Sequence, residues 1–404
     1  MAKLFRKTKR PCAICRTDKR RVLFNQKFAR IADRTLLDGY EVVACLNCGF
    51  CFANNIPSQD TFDYYYKKMS KYEHQDRAGR ESEYDLARFR NIVSFIQPYL
   101  HSPQIRIMEV GCSTGKLLSL LKEDGYSNVL GIDPSPYCSK AANKLYGVEV
   151  VSSALANISF PEASFDLIIM VAVLEHICDL RSCLFKLWKM LSPNGYLLVS
   201  VPDASRFSLD EDAPFQEFSI EHLNFFGPIS LQNLLEAHGF APISYRQDLE
   251  QINYRTLAPV IQALFKKAQV IPRTAAFQPD TLSENELMAY IERSLELEKR
   301  TRKIIEALAS KRQPLIVWGA GTHTLRLLAT SPLSQANIVA FVDANPRYYG
   351  NELNGIPIIS PADLTRYPQY SILISSRGFQ NEILLNIREH FKLKNDTIIL
   401  YNFD

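Results

Sequence analysis

The sequence predicts an α/β protein built around a doubly wound, mostly parallel sheet, and one stretch carries most of that prediction. A short apolar run at Ile105–Val110 is followed by a glycine-containing turn, a helix-patterned segment at Lys116–Glu123 and a second apolar run at Asn128–Ile132. Strand, glycine turn, helix and strand in this order form the first half of a doubly wound fold. A similar series begins at Pro314–Trp318, so we expect a second α/β domain there.

The composition is that of an ordinary globular protein. The 404 residues are 47% hydrophobic and 22% charged, and this length predicts two or three domains. The net charge of +4 argues against nucleic-acid binding by the chain as a whole, although residues 1–30 are strongly basic. The longest apolar run, Leu167–Leu174, is too short to span a bilayer, and no apolar segment of a secretory signal follows the basic start. Nine cysteines, several at metal-type spacing, indicate a reducing, cytoplasmic location.

The turn after the first strand contains the residues that close approach of a nucleoside-containing ligand requires. It reads E-x-G-x-x-x-G from Glu109, with glycines at Gly111 and Gly115. Glycine lets the backbone come close to a ligand where a side chain would block it. Asp133 ends the second strand, where an acid can accept hydrogen bonds from both hydroxyls of a ribose. The G-x-G-x-x-G signature of dinucleotide binding is absent.

This pattern resembles the first motifs of class I S-adenosylmethionine (SAM)-dependent methyltransferases, E-x-G-x-G-x-G followed by an acid. Ser113 stands where the family usually has its middle glycine. The resemblance implies that Glu109, Gly111 and Gly115 hold the methionine end of SAM and that Asp133 holds the ribose. A nucleotide-binding unit of another kind, or a purely structural one, is the alternative interpretation.

Two cysteine pairs near the start predict a metal site. Cys12 and Cys15 form one C-x-x-C, and Cys45 and Cys48 form another. Two such pairs place four thiolates around a tetrahedral zinc, which would be structural. Cys51 is a fifth candidate, and we expect it to be buried as a small apolar residue. Four free cysteines are the alternative, and the basic residues between the pairs predict either a nucleic-acid contact or a solvated face.

Two histidines follow predicted strands. Phe165–Met170 reads as a strand that runs into Val-Leu-Glu-His, which ends at His176; Glu221 and His222 begin a later stretch, EHLNFF. Both stretches resemble further methyltransferase motifs. Open α/β sheets bind ligands at the carboxyl ends of their strands, and an imidazole with a near-neutral pKa can act there as a base. A packing role for either histidine is the alternative.

The remaining segments define the expected domains. Residues 57–77 are polar and rich in tyrosine, and they either cover a substrate cleft or pack as a linker. The pattern from Gln251 to Lys311 predicts helices, including a long amphipathic one at Leu287–Leu308. We therefore expect a zinc-binding domain, a methyltransferase domain, a helical connector and a C-terminal Rossmann-like domain, at residues 1–70, 71–250, 251–311 and 312–404.

The last domain repeats the α/β pattern in a degenerate form. A turn at Gly319–Gly321 follows its first strand, and Asp343 ends the next one. The third glycine of a dinucleotide signature is absent, so we expect a Rossmann-like domain without that signature.

In this order of parts, the chain is similar to methyltransferases with an N-terminal zinc-binding domain and a C-terminal Rossmann-like domain, best known as sugar-nucleotide C-methyltransferases of deoxysugar pathways. The resemblance implies SAM and structural zinc as cofactors, and C-methylation of a nucleotide-linked ketodeoxysugar. It implies His222 as general base, with Glu221 and His176 as helpers. Trp318 fits the family pattern, but the lysine expected shortly afterwards is missing. The alternatives are an O-methyltransferase acting on a surface-polysaccharide sugar or another small molecule, and a non-enzymatic zinc-ribbon binding protein.

Overall fold

The computed structural model describes residues 6–30, 36–69, 81–272 and 276–401, which form three β-sheets with their helices. The N-terminal sheet is antiparallel, and Asn224–Phe225, from much later in the chain, form its last strand. One helix follows it within the tyrosine-rich stretch, of which residues 70–80 lie outside the described part. These elements are β1 (Arg20–Lys27), β2 (Gly39–Cys45), β3 (Cys51–Asn54) and α1 (Gln59–Met69).

The central sheet confirms the predicted doubly wound α/β fold. Its elements, with the two-residue strand β9 of the N-terminal sheet, are α2 (Glu83–Ile96), β4 (Ile107–Val110), α3 (Lys116–Glu123), β5 (Val129–Asp133), α4 (Pro136–Tyr146), β6 (Val150–Ser152), β7 (Phe165–Val171), α5 (Leu180–Met190), β8 (Leu191–Pro202), β9 (Asn224–Phe225), α6 (Pro228–Ala237), β10 (Phe240–Gln251) and β11 (Leu257–Lys267).

The strand order of the central sheet is β10-β11-β8-β7-β4-β5-β6. Strands β4 to β8 run parallel, whereas β10 and β11 run antiparallel to their neighbours. The chain leaves β4 towards β5 and β6 and later returns to the other side of β4 as β7. Such a reversal opens a crevice at the carboxyl ends of the strands, where ligands of this fold bind.

The prediction that the segment from Gln251 onward is helical was wrong for its first part. Residues 257–267 form β11, which lies between β8 and β10 and buries most of its length. A strand buried on both faces has a nearly continuous apolar sequence, which periodicity cannot distinguish from a buried helix. The central sheet therefore extends beyond the boundary expected at residue 250. The long helix was predicted correctly, as α7 (Thr281–Lys311).

The third sheet lies in the C-terminal part and has the order β14-β15-β13-β12-β16-β17. All of its strand pairs are parallel except β14 with β15. None of the described helices has both the length and the apolar character that a membrane crossing requires. The elements are β12 (Leu315–Trp318), α8 (Thr322–Thr330), β13 (Ile338–Val342), β14 (Glu352–Leu353), β15 (Ile356–Ile359), β16 (Ser371–Ile374), α9 (Gln380–Leu385) and β17 (Thr397–Ile399).

Arg326 of α8 joins the three parts of the molecule. It is buried, it donates to the carboxylate of Glu298 on α7 at 2.8 Å, and it donates to the side-chain oxygen of Gln26 on β1. Its guanidinium carbon also lies 3.8 Å from the ring centroid of Phe215. A guanidinium can make in-plane hydrogen bonds and stack on an aromatic face at the same time, so one side chain fixes the N-terminal sheet, α7 and the third sheet together.

Candidate active site

The glycine turn after β4 has a backbone that only glycine accepts at one position. Gly111 has φ = +72°, and a Cβ built there would lie 2.4 Å from the Cγ2 atom of Val173. Gly115 has φ = +79° and lies directly before α3, where its added Cβ would meet Ala142 at 3.2 Å. Ser113 itself adopts φ = +48°, so the serine in place of a family glycine keeps an open turn at the cost of some backbone strain.

Asp133, at the end of β5, supports this turn. Its carboxylate accepts hydrogen bonds from the backbone N–H of Ser113 at 3.0 Å and of Ser135 at 2.9 Å. Burial raises the pKa of Asp133 despite these two hydrogen bonds. One carboxylate therefore fixes the glycine loop and also faces the crevice, which is the position in which this fold binds a ribose.

Glu109, in the middle of the sheet on β4, is buried with an unmet hydrogen-bonding capacity. Its Oε2 atom has no hydrogen-bond partner among the described residues. Burial, and then the charge of Asp133, raise the pKa of Glu109 to about 8. A buried acceptor without a donor destabilises the fold, so this carboxyl group fits a ligand that brings a donor. The glycine cradle, Asp133 and Glu109 together fit SAM.

A cavity of about 150 Å³ opens beside this turn. Residues from three separate parts of the chain line it: the glycine turn and β5, the two histidine motifs, and α1. They include Gly111, Asp133, His176, Glu221, Asp63 and Tyr66. The ring of Tyr66 stands edge-on to His176, with the centroids 6.0 Å apart. The described part of the tyrosine-rich stretch, α1, therefore lines the cleft, and its residues 70–77 lie outside the described part of the chain.

The two histidines meet beside the cavity. His176 lies on the turn after β7 and His222 on the loop before β9, with ring centroids 5.1 Å apart. The Nδ1 atom of His176 lies 2.9 Å from the carbonyl oxygen of Glu221. The Nδ1 atom of His222 lies 3.1 Å from the carbonyl oxygen of Glu217 and 3.3 Å from its carboxylate. Each ring is thus anchored through Nδ1, and the Nε2 atom of His176 lies 3.7 Å from the carboxylate of Glu175.

His176 lines the cavity, whereas His222 is not among the cavity-lining residues and lies behind it, against the ring of His176. Ligand atoms of Glu175, His176 and His222 all lie within 4.8 Å of one another, so this cluster is also compact enough to hold a metal ion.

Carboxylates around His222 change its protonation. Burial lowers the pKa of this imidazole, but hydrogen bonding to Glu217 and the charges of Glu217, Glu175 and Glu221 outweigh burial and raise the pKa to about 9. A pKa near neutrality was expected from the sequence alone. Glu217 was missed there, because nothing in the spacing from Glu217 to His222 indicates that the loop folds back to join them.

The four paired cysteines form a separate cluster. Ligand atoms of Cys12, Cys15, Cys45 and Cys48 lie within 4.8 Å of one another, and Cys12–Cys48 and Cys15–Cys45 have Sγ···Sγ distances of 3.4 Å. Four thiolates around zinc, each with a Zn–S bond of about 2.3 Å, lie about 3.7–3.8 Å apart, so the cluster fits that ion. Cys51 is buried outside it, with its Sγ atom 3.4 Å from the carbonyl oxygen of Gly49.

Hydrogen bonds connect the cysteine cluster to the histidines. Arg10, two residues before Cys12, donates to the carbonyl oxygen of Leu223 at 3.2 Å and to the side chain of Asn224 at 3.0 Å. Asn224 in turn donates to the carbonyl oxygens of Leu174 and Ile177, which flank His176 in sequence. Neither role could be predicted from the sequence, since both depend on the pairing of β3 with β9.

The C-terminal sheet repeats the geometry of the glycine turn. Asp343 accepts from the backbone N–H of Ala320 at 2.8 Å and of Asn345 at 2.8 Å, as Asp133 does from its own turn. A second cavity of about 590 Å³ lies at this edge, lined among others by Gly319, Asp343 and Arg377. The Rossmann-like character expected for this part is therefore present in its hydrogen bonds as well as in its strand order.

Comparison with known proteins identifies two parts of the chain. Residues 79–245 match a family model described as a methyltransferase domain, and residues 311–399 match one described as C2185-like, N-terminal. A probable S-adenosylmethionine-dependent methyltransferase of Mycolicibacterium smegmatis is 27% identical over 168 residues, which are 40% of this chain and 64% of that protein. A ubiquinone biosynthesis O-methyltransferase of Bradyrhizobium diazoefficiens is 31% identical over 102 residues, 24% of this chain and 39% of the relative.

Among solved structures, the 1,6-didemethyltoxoflavin-N1-methyltransferase of Burkholderia thailandensis is similar with a TM-score of 0.42 and 18% identity, covering 55% of this chain and 98% of that one. Of the two curated relatives named above, the matched part is less than two thirds of the relative's own length in each case. The strand order, the glycine turn with Asp133, and the family match agree on the central part. Residues 79–245 form a class I SAM-dependent methyltransferase domain.

Proposed function

We propose that the chain is a SAM-dependent methyltransferase that methylates a carbon of a nucleotide-linked ketodeoxysugar. The observation that carries this proposal is the shared cavity, in which Gly111 and Asp133 face His176 and Glu221. When bound, SAM supplies an electrophilic methyl group. Glu109, Gly111 and Gly115 would hold its methionine end and Asp133 its ribose. The C-x-x-C spacing supports a reducing, cytoplasmic location.

Methylation of a carbon next to a ketone requires removal of a C–H proton, and a positioned base contributes about 10²–10⁴-fold to such a step. We assign this role to His222. The Glu217 carboxylate at Nδ1 fixes the tautomer whose Nε2 atom can accept a proton, and it stabilises the resulting imidazolium. His176, which lines the cavity, would hold the oxygen on which charge develops, and the Glu221 carboxylate beside it would accept a hydrogen bond from a hydroxyl of the substrate. The cysteine cluster would hold a structural zinc, which takes no part in the chemistry.

Exchange of the sugar's α proton with deuterated water tests the base directly. We expect wild type and His176→Gln to exchange this proton, and His222→Gln to lose exchange while SAM affinity and melting temperature stay unchanged. Exchange lost only in His176→Gln would transfer the role to that residue, which lines the cavity. Exchange retained in both variants would exclude a histidine base.

O-methylation is the second candidate, and the names of relatives favour it. Besides the ubiquinone enzyme, an O-methyltransferase of Aspergillus sclerotiorum is 29% identical over 175 residues. Methylation of a hydroxyl needs only one base and an in-line oxygen, which the same imidazoles could supply. Fragmentation of the product by mass spectrometry distinguishes a methyl group on oxygen from one on carbon. A titration with SAM distinguishes either enzyme from a non-enzymatic zinc-ribbon protein.

A further inference from the structure

The outer edge of the central sheet is open and apolar. Strand β10 ends the strand order, and no other strand of the described residues pairs with its outer side. Among the described residues, eighteen large hydrophobic side chains are exposed, and five of them lie within residues 243–254. These five are Ile243, Tyr245, Leu249, Ile252 and Tyr254. A long exposed edge with an apolar face tends to pair with another strand, so natural proteins usually shield it.

The charges on β10 select one partner for that edge. In an antiparallel pair, directly opposite residues lie on the same face, so two copies of β10 related by a twofold axis pair residues whose numbers have an even sum. With Gln247 opposite itself, Arg246 faces Asp248 of the other copy twice, and Tyr245 faces Leu249 twice. Opposite charges and aromatic–aliphatic pairs stabilise antiparallel strands when they lie directly opposite each other.

The two neighbouring registers are disfavoured. A register centred on Arg246 places the two Arg246 side chains opposite each other, and a register centred on Asp248 places the two Asp248 carboxylates opposite each other. In both, like charges repel. An irregularity in β10 also sets one end of the stretch that can pair. A register irregularity lies between Pro242 and Ser244, and Pro242 has no N–H to donate to a neighbouring strand.

We propose that two copies of this chain associate through β10, in antiparallel register centred on Gln247, so that their central sheets join into one. This surface is separate from the methyl-transfer site and does not depend on the proposed function. Arg246 already lies 3.0 Å from Asp248 within one copy. In the dimer, these two residues of both copies would therefore place four charges of alternating sign around the twofold axis. Within its own copy Arg246 also donates to the side-chain oxygen of Gln262 on β11 and to the carbonyl oxygen of Asn91, and these two bonds fix the guanidinium on one face of the sheet.

Light scattering during size-exclusion chromatography of the full chain tests this proposal. We expect wild type to have twice the chain mass of 46.1 kDa. Asp248→Arg and Arg246→Asp should each be monomeric, since each places like charges opposite each other, and an equimolar mixture of the two should recover the dimer. Asp124→Arg, the same charge reversal at an exposed site outside this edge, should remain dimeric.

Arg246→Asp loses contacts within its own sheet, so it could be monomeric because it is misfolded. A second pair of variants, which keeps Arg246, serves as a control for this. Tyr245→Lys should be monomeric, and mixing it with Leu249→Glu should restore the dimer, because lysine then faces glutamate. A monomeric wild type at tens of micromolar would overturn the proposal. So would single variants that stay dimeric, or complementary mixtures of folded variants that stay monomeric.

Discussion

The imidazole rings of His176 and His222 lie with their centroids 5.1 Å apart, and a strand pair of the N-terminal sheet holds them there. The backbone N–H of Leu223 donates to the carbonyl oxygen of Glu175 at 2.8 Å, and that of Ala53 donates to the carbonyl oxygen of Leu223 at 2.8 Å. The cysteine-bearing segment therefore supports the backbone beside both histidines, although none of its residues lines the cavity. A metal that does no chemistry can in this way control the position of groups that do.

Loss of the zinc site should accordingly reduce both stability and activity. We expect Cys48→Ser to lose zinc and to lower the free energy of unfolding by about 3 kcal/mol or more, as loss of a structural metal does. Methyl transfer should fall with it, because Arg10 and Asn224 lose their support. Metal analysis of fresh, reduced protein and thermal melting measure the two effects. Cys51→Ala, outside the cluster, is the control and should retain zinc; metal-free wild type would refute the site.

Asp133→Asn should weaken SAM binding by roughly tenfold to a hundredfold, since a hydrogen bond to a charged group contributes about 1.5–3 kcal/mol. Isothermal titration calorimetry measures the change. The matched control is Asp343→Asn, which alters the equivalent carboxylate of the C-terminal sheet and should leave SAM affinity unchanged. If instead Asp343→Asn weakened SAM binding and Asp133→Asn did not, SAM would bind at the C-terminal sheet.

Gly111→Ala should abolish SAM binding altogether. The added Cβ would lie 2.4 Å from Val173, and the backbone has φ = +72°, so both the contact and the backbone conformation oppose any side chain. Gly125→Ala serves as a control, because it shares a positive φ but meets no atom within 4 Å. Near-normal affinity in Gly111→Ala would mean that the turn does not approach the ligand.

The pH dependence of kcat/KM should report on His222. A raised pKa keeps this imidazole protonated below pH 9, so the rate should rise with pH towards a midpoint near 9. Glu217→Gln removes the carboxylate that raises the pKa while burial still lowers it, so the midpoint should move to lower pH. The other groups near the ring are Glu175, His176 and Glu221, and they are unchanged in this variant. If the midpoint in Glu217→Gln equals that of the wild type, the titrating group is not His222. A chelator added to both enzymes excludes an effect of bound metal.

Tyr65 should act as a positioning residue. Its hydroxyl donates to the Oε1 atom of Glu221 at 3.0 Å, so Tyr65→Phe removes one hydrogen bond from a carboxylate that lines the cavity. We expect kcat to fall by roughly tenfold to a hundredfold, corresponding to the range of about 1.5–3 kcal/mol for such bonds, while SAM affinity is retained. Tyr64→Phe, at the adjacent and 46% exposed position, should be without effect. Equal losses in both variants would indicate a change in α1 as a whole.

Local pattern was sufficient for the elements that precede and follow Gly111. The glycine turn is close in sequence to Asp133, and the two cysteines within each C-x-x-C pair are close to each other, so their spacing alone predicts how they are arranged. Strand β11 was missed because a strand buried on both faces has no alternation to reveal it. Arg10, Asn224 and Glu217 were missed for a different reason, since each acts through a contact between distant segments that only the pairing of β3 with β9 and the folding of the loop before it create.

Mass spectrometry of a panel of nucleotide-linked ketosugars, incubated with the protein and SAM, tests the central claim most directly. We expect one sugar to gain the mass of a single methylene, with an equal amount of S-adenosylhomocysteine formed, and Asp133→Asn to slow both at limiting SAM. Fragmentation should locate the new methyl group on carbon. A protein that binds nicotinamide dinucleotides but not SAM, and that yields neither a methylated product nor S-adenosylhomocysteine with any sugar, would contradict it.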